Sequence, residues 1–211
     1  MTFSSCLTDQ HSAVVLDASV IINLLATSKA SEVLQALGAP VLVTSNVVHE
    51  IGQGASNARQ EPQQLSELIG ADILRMVSLD APSLECFFSL VSGHTADSLG
   101  DGEAATLVYA HTNRFAAAID EKKATRIANE RFDEVAMVTT VDIFAYAPVQ
   151  KLLGRDVLAK AVLQALRGTR MQVRAHQFEW VVQLIGEAYL PECPSLRKYA
   201  QRRPAHIGAE P

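Results

Sequence analysis

Short apolar runs alternate with amphipathic segments along the first 140 residues of this chain. The apolar runs are short enough and apolar enough to be strands buried on both faces of a sheet. Strands that alternate with helices predict a parallel sheet with helices on both of its faces, which is an α/β fold. The predicted strands are Val14–Leu16, Pro40–Thr44, Met76–Leu79, Phe115–Ile119 and Val135–Thr139.

The segments between these runs have apolar residues at helical spacing. Gly38 is a natural end for the second of them, and Ser45 or Asn46 can cap the third. Two polar, glycine-bearing stretches, residues 52–64 and 92–102, are predicted as loops. The predicted helices are Ser19–Leu25, Ala30–Leu37, a helix through Ile51, Leu65–Leu74, Pro82–Val91, Glu103–Asn113 and Lys122–Asn129.

The pattern becomes entirely helical after Pro148, over about Asp156–Leu166 and Val173–Leu190. The predicted organisation is a flexible N-terminus (1–12), an α/β domain (13–148), a helical C-terminal extension (149–192) and a basic, flexible tail (193–211). One stripe of the extension is apolar and should be buried against the domain or a second subunit. Its members are Val157, Leu158, Ala161, Val162 and Ala165.

The amino-acid composition indicates the class of protein and its cellular location but not its function. The 211 residues are 48% hydrophobic and 19% charged, as expected of one globular domain with appendages. The three cysteines are widely spaced and form no CxxC pair, so we expect neither a zinc ribbon nor a disulfide framework. The N-terminal residues lack the features of a secretory signal, and no apolar run approaches membrane-spanning length. We therefore expect a cytoplasmic protein.

The charge is distributed unevenly along the chain. Residues 1–113 contain 3 Lys or Arg and 12 Asp or Glu, whereas residues 114–211 contain 15 and 11. An acidic half could gather cations while a basic half holds phosphates, although chance can produce the same split.

Four carboxylates are predicted to meet at one edge of the sheet. Asp17 and Asp120 stand at the carboxyl ends of predicted strands, where ligands bind in open α/β sheets. Glu50 lies on the helix after the second strand, and Glu103 opens another helix. Bare carboxylates so close would repel each other, and Mg²⁺ or Mn²⁺ would relieve that repulsion.

Each acid also has a simpler explanation. An Asp at a strand end is often a helix cap, and Asp17 could cap the helix that follows it. A glutamate in a first helical turn, such as Glu103, is common. Asp101 lies two residues before Glu103, so either could supply the third acid, although the helical run that directly follows Glu103 favours it.

The joint pattern resembles the PIN-domain family of metal-dependent nucleases, across about Val14 to Ala147. The resemblance rests on the order and approximate spacing of four segments. They are VVLDASVIINLLA (14–26), VVHEI (47–51), LGDGEAATLVYA (99–110) and AAAIDEKKATRIANE (116–130).

The resemblance implies a PIN-like parallel sheet, with Asp17, Glu50, Glu103 and Asp120 as a metal-binding catalytic quartet. It implies Mg²⁺ or Mn²⁺ as cofactor and RNA as substrate, and it suggests that Asn23 supports the first strand–helix turn. The chain looks like a subgroup near prokaryotic toxin-type members, which implies a homodimer and an antitoxin protein as partner. The chemistry agrees, because carboxylate-bound metal can drive phosphodiester hydrolysis without a Ser or Cys nucleophile.

Three basic residues follow Asp120 on the next predicted helix. Lys122 and Arg126 are four residues apart and so share one helix face with each other, and Lys123 lies beside them. We expect all three to hold RNA phosphates at the mouth of the site. A solvated helix face explains the lysines equally well.

Two classes of function remain open from the sequence. One is an endoribonuclease, either the toxin of a toxin–antitoxin pair or an RNA-processing enzyme. The other is a catalytically silent PIN fold that binds RNA or protein. The intact set of four acids favours the enzyme, whereas the long helical extension is unlike a compact toxin.

Overall fold

A computed structural model describes residues 3–53, 60–92 and 97–200 of the chain. Its centre is a five-stranded parallel sheet with the strand order β3-β2-β1-β4-β5. The predicted α/β class is therefore confirmed. The strands are β1 Val14–Leu16, β2 Val41–Thr44, β3 Arg75–Val77, β4 Ala116–Ala118 and β5 Met137–Val138.

Helices cover both faces of the sheet, and short 3₁₀ segments occur only in the C-terminal region of the described chain. Residues 54–59 and 93–96, within the two predicted loops, lie outside the described residues. The helices are α1 Ala18–Leu25, α2 Ala30–Gln35, α3 Ser45–Gln53, α4 Glu61–Gly70, α5 Ala81–Val91, α6 Asp101–Asn113, α7 Lys122–Arg131, α8 Thr140–Ala145, α9 Ala147–Gly168, α10 Phe178–Ile185 and α11 Arg197–Ala200.

The start of α4 and the presence of α8 differ from the prediction for local reasons. Helix α4 begins inside the predicted loop, with Pro62 in its first turn, where proline needs no hydrogen-bond donor. Helix α8 was missed altogether. Thr139 and Asp142 cap its start reciprocally, so the last strand ends at Val138 and a helix begins at once.

Alternate strand residues point to opposite faces of the sheet and divide the core into two layers. Val14 and Leu16 pack in the layer formed with α1, α2, α8, α9 and α10. Val15, Ala117 and Ile119 pack in the layer formed with α5, α6 and α7. The central strands are thus buried on both faces, as their uninterrupted apolar sequences predicted.

The expected boundary at residue 148 falls within α9. This helix is broken only at Gly154, whose φ of 70° is readily available to glycine alone. Beyond the break, Leu158, Val162 and Leu166 join the same core layer as β1. Val157 is exposed, so the expectation that it belongs to the buried stripe was wrong. The extension therefore shares its core with the sheet.

Two segments expected to be flexible pack against this core. In the N-terminal segment, Ser5 Oγ donates to the Asp142 carbonyl over 2.7 Å, and Leu7 is buried. In the expected tail, Cys193 and Leu196 are fully buried, and the Tyr199 hydroxyl donates to a backbone carbonyl. These parts of the two segments therefore pack against the core, and residues 201–211 lie outside the described residues.

Within the described residues, no helix is both long enough and apolar enough to span a membrane.

Candidate active site

The strand order places a topological switch point between β1 and β4. From β1 the chain proceeds to β2 and β3 on one side, and β4 and β5 lie on the other. Asp17 directly follows β1, and Asp120 follows β4 by two residues. Crevices at such points are the usual ligand sites of open α/β sheets.

A cavity of about 470 Å³ opens at this point, and all four predicted acids line it. They come from four separate elements of the chain, as the sequence analysis expected. The lining residues are Asp17, Ala18, Ser19, Ile22, Asn23, Glu50, Gly100, Glu103, Asp120, Glu121, Thr169, Arg170, Met171 and Gln172.

Asp17 caps α1, as the simpler explanation predicted, but it also lines the cavity. Its Oδ2 accepts hydrogen bonds from Ser19 N at 3.2 Å and Ser19 Oγ at 2.7 Å. The side chain is nearly fully buried. Burial raises the pKa of Asp17, and the hydrogen bonds from Ser19 only partly oppose that rise.

Asp120 is held by three protein donors. Its Oδ1 accepts from Thr140 N at 2.8 Å, and its Oδ2 accepts from Thr140 Oγ1 at 2.6 Å and Asn23 Nδ2 at 2.7 Å. Burial nevertheless raises the pKa of Asp120 to about 6. Asn23 thus links Asp120 to α1, a more specific role than the support of the first turn that the resemblance suggested.

Glu50 and Asp17 face each other across Gly102. A methyl group on Gly102 would overlap Glu50 Oε2 and would lie 3.5 Å from Asp17 Oδ1. Glycine at this position therefore leaves room for the Glu50 carboxylate beside α6, which a larger residue would displace. Partial burial and the charges of Asp17 and Asp101 raise the pKa of Glu50.

The structure separates the two candidates for the third acid. Helix α6 begins at Asp101, which is exposed and does not line the cavity. Glu103 lines it, and Glu103 Oε2 accepts a hydrogen bond from Gly100 N at 3.2 Å. Burial, followed by the charge of Asp17, raises the pKa of Glu103. This position favours Glu103 as the third acid.

Raised pKa values make the metal-free protein sensitive to pH. The pKa of Asp120 is about 6 in the folded chain and 3.8 ordinarily, so folding favours its protonated form. That contribution to stability is fully present below pH 4 and is lost as the pH rises through 6. In EDTA we expect a larger free energy of unfolding at pH 5 than at pH 8, measured by urea denaturation.

Acids with lowered pKa values, such as Asp72 and Asp80, stay charged between pH 5 and pH 8 and do not contribute to this change in stability. They lose their stabilising charge only under more acidic conditions. Asp120→Asn removes one titrating group and should reduce the difference in unfolding free energy between pH 5 and pH 8, while Asp17, Glu50 and Glu103 also have raised pKa values. An unfolding free energy that increases with pH in the wild type would contradict this prediction.

The three basic residues predicted to hold RNA do not line the cavity. Arg126 donates to Glu130 at 2.9 Å and to Asp97 at 3.1 Å, so its charge is engaged on the surface of α7. Lys123 lies close enough to Glu103 to lower the pKa of that acid slightly. A phosphate would therefore compete with two carboxylates for Arg126.

The C-terminal region supplies one wall of the cavity, which sequence reasoning missed. Thr169 Oγ1 donates to Asn23 Oδ1, and Gln172 Nε2 donates to Glu121 Oε2 at 3.1 Å. Arg174 Nη2 donates to the Asp120 carbonyl at 2.9 Å. No local pattern marks these residues. Thr140 was also missed, although its place just after the last strand could have indicated it.

The chemistry of the donor set fits a hard divalent cation, because four carboxylates line one cavity with raised pKa values. Among residues 3–53, 60–92 and 97–200, however, no three His, Cys, Asp or Glu side chains are already grouped to hold an ion. Binding by three of the acids would therefore require movement of their side chains.

A family model described as a PIN domain matches residues 13–187. This match covers most of the chain, including α9 and α10. The chain belongs to the PIN-domain family. It has the nuclease-like fold of that family, and the match extends well beyond the boundary expected at residue 148. No curated protein shows a significant match to the chain.

Proposed function

We propose that this PIN-domain protein is a divalent-metal-dependent endoribonuclease that hydrolyses RNA phosphodiester bonds. The observation that carries the proposal is the convergence of Asp17, Glu50, Glu103 and Asp120 on one cavity at the switch point of the sheet. The raised pKa values support it, since clustered perturbed acids are typical of functional sites.

The four acids would hold Mg²⁺ or Mn²⁺, with Glu50 binding directly or through water. When bound, such an ion would activate water and offset the charge that develops on the phosphate. The chain itself would position the ligands. Thr140 and Asn23 fix both oxygens of Asp120, and Ser19 fixes Oδ2 of Asp17 while leaving Oδ1 toward Gly102.

Cleavage of a labelled single-stranded RNA tests this proposal. Purified protein should produce internal cuts with Mn²⁺ or Mg²⁺, and excess EDTA should stop the reaction. Because some nucleases need a structured target, a panel of hairpin and single-stranded RNAs is the appropriate substrate. RNA binding without cleavage of any member would contradict the enzyme proposal.

A catalytically silent RNA- or protein-binding module is the second candidate. The observation in its favour is that no three acids of the described chain are already grouped around one point. The hydrogen bonds to Asp120 also use lone pairs that a metal would need. A silent module should show no metal-dependent rise in melting temperature.

We propose further that Lys122 and Lys123, at the start of α7, contact RNA phosphates near the site.

A toxin role would add an antitoxin partner and a homodimer, and the sequence resemblance supports both. Expression of the wild type in a bacterial host should then arrest growth, and expression of Asp17→Asn should not. Normal growth with the active enzyme would favour an RNA-processing role in the cytoplasm.

A further inference from the structure

Arg170 is the only Lys or Arg among the described residues that line the cavity. The other charged lining residues are the four proposed ligands and Glu121. An RNA strand that enters this space brings further negative charge, so a cation on the wall would offset repulsion that the acids create.

The backbone places Arg170 at a fixed position on that wall. Its φ of 58° lies in the left-handed region, which is unfavourable for an arginine. The residues on both sides are anchored. Thr169 Oγ1 lies 2.7 Å from the Ala165 carbonyl oxygen and also within hydrogen-bond distance of Asn23 Oδ1, and Met171 is buried.

The guanidinium of Arg170 has no hydrogen bond or ion pair within the described part of the chain, and the residue is exposed. Nearby arginines are already engaged. Arg174 donates to Asp120 and Thr125, and Arg167 pairs with Glu192. Arg170 therefore keeps its donors available for a ligand in the cavity.

We propose that Arg170 binds a phosphate of the RNA substrate, so that the C-terminal region forms part of the substrate site. A guanidinium suits this role because its planar donors match two phosphate oxygens. The inference rests on the proposed function, since it takes RNA as the ligand of the cavity. It also explains how an acidic site, built mainly from the acidic half of the chain, would accept an anion.

Arg114 offers a matched control for Arg170. It is an exposed arginine with a φ of 57°, and it caps the C-terminal end of α6, just before β4. It therefore lies toward the opposite edge of the sheet from the cavity. Arg170→Gln and Arg114→Gln remove the same charge from the same backbone conformation.

RNA binding is measured by fluorescence anisotropy with a labelled single-stranded RNA and Mg²⁺, in an Asp17→Asn background that leaves the RNA uncut. Arg170→Gln should weaken binding about tenfold and reduce the slope of log affinity against log salt by roughly 0.7, the value for one phosphate contact. Arg114→Gln should change neither quantity, and Arg170→Lys should retain the slope.

Cleavage kinetics without the Asp17→Asn change give an independent readout. Arg170→Gln should raise KM for RNA about tenfold and leave kcat within about twofold, because the contact is made before the reaction. Unchanged KM and salt slope in an active enzyme would overturn this inference alone, as would equal effects of the two glutamine variants. Failure of the parent protein to bind any RNA would overturn it together with the proposed function.

Discussion

Asp17→Asn should abolish metal-dependent RNA cleavage while the chain remains folded. Loss of one metal-binding carboxylate removes several kcal/mol of transition-state stabilisation, so we expect a decrease in rate of about 10³-fold or more. The asparagine keeps an oxygen that can accept from Ser19, which preserves the cap of α1. The measurement is RNA cleavage with Mn²⁺, accompanied by circular dichroism.

The same variant should make the metal-free protein more stable. Asp17 has a raised pKa because its charge is buried near other carboxylates, and an amide removes that cost. The melting temperature in EDTA should therefore rise above that of the wild type, whereas the increase on adding Mg²⁺ should largely disappear. A metal-induced increase equal to that of the wild type would show that Asp17 is not a ligand.

Asp80→Asn is the matched control for this substitution. Asp80 caps α5 with nearly the same backbone angles as Asp17, and its side chain likewise accepts from a helix backbone N–H. It does not line the cavity, and its hydrogen bond from Ser83 lowers its pKa. The control should retain cleavage activity and should gain no stability in EDTA. Equal cleavage by wild type and Asp17→Asn, prepared identically, would reject the enzyme proposal.

Asp120→Asn is a less selective test of catalysis. The Asp120 carboxylate is the acceptor in all three of its hydrogen bonds. An asparagine with its amide nitrogen at the Oδ2 position would place that donor against two other donors, Asn23 Nδ2 and Thr140 Oγ1. Loss of activity in this variant could therefore arise from a disturbed site as well as from a missing ligand. Asp17 avoids this ambiguity because its Oδ1 is directed toward Gly102.

A chain that ends at Ala147 should fail to form a stable fold. Helix α9 packs on α8 and α2, and α10 packs on α9, so the truncation exposes apolar faces of the remaining domain. Exposure of one buried apolar side chain costs about 1.5–3 kcal/mol, and the net stability of a domain is about 5–15 kcal/mol. A few such exposures are sufficient to unfold it.

The expected result is aggregation, or a chain without a cooperative thermal transition in differential scanning calorimetry. A chain that ends at Ala200 is the control, because it keeps every described element and removes only residues 201–211. The control should unfold cooperatively like the full chain. A soluble, cooperatively unfolding 1–147 chain would show that residues 149–192 form a separate module, as the sequence-based boundary implied.

The sequence by itself determined the parallel α/β architecture and the edge at which the four acids meet. Strands buried on both faces must be short apolar runs, and a carboxylate directly after such a run stands out. Asp17 and Asp120 could be found for this reason. Their convergence then followed from the rule that the carboxyl ends of parallel strands share one edge, whereas the strand order came from the structure.

Only the tertiary structure decided which C-terminal residues complete the site. Thr169, Arg170 and Arg174 follow a helix whose sequence shows an apolar stripe but not the surface on which it packs. The contacts of Thr169 with Asn23 and of Arg174 with Asp120 depend on the direction of α9 and on its break at Gly154. The periodicity of apolar residues in the sequence indicates which side of a helix is buried. It does not indicate which distant residues that helix contacts, because those contacts form only when the whole core packs.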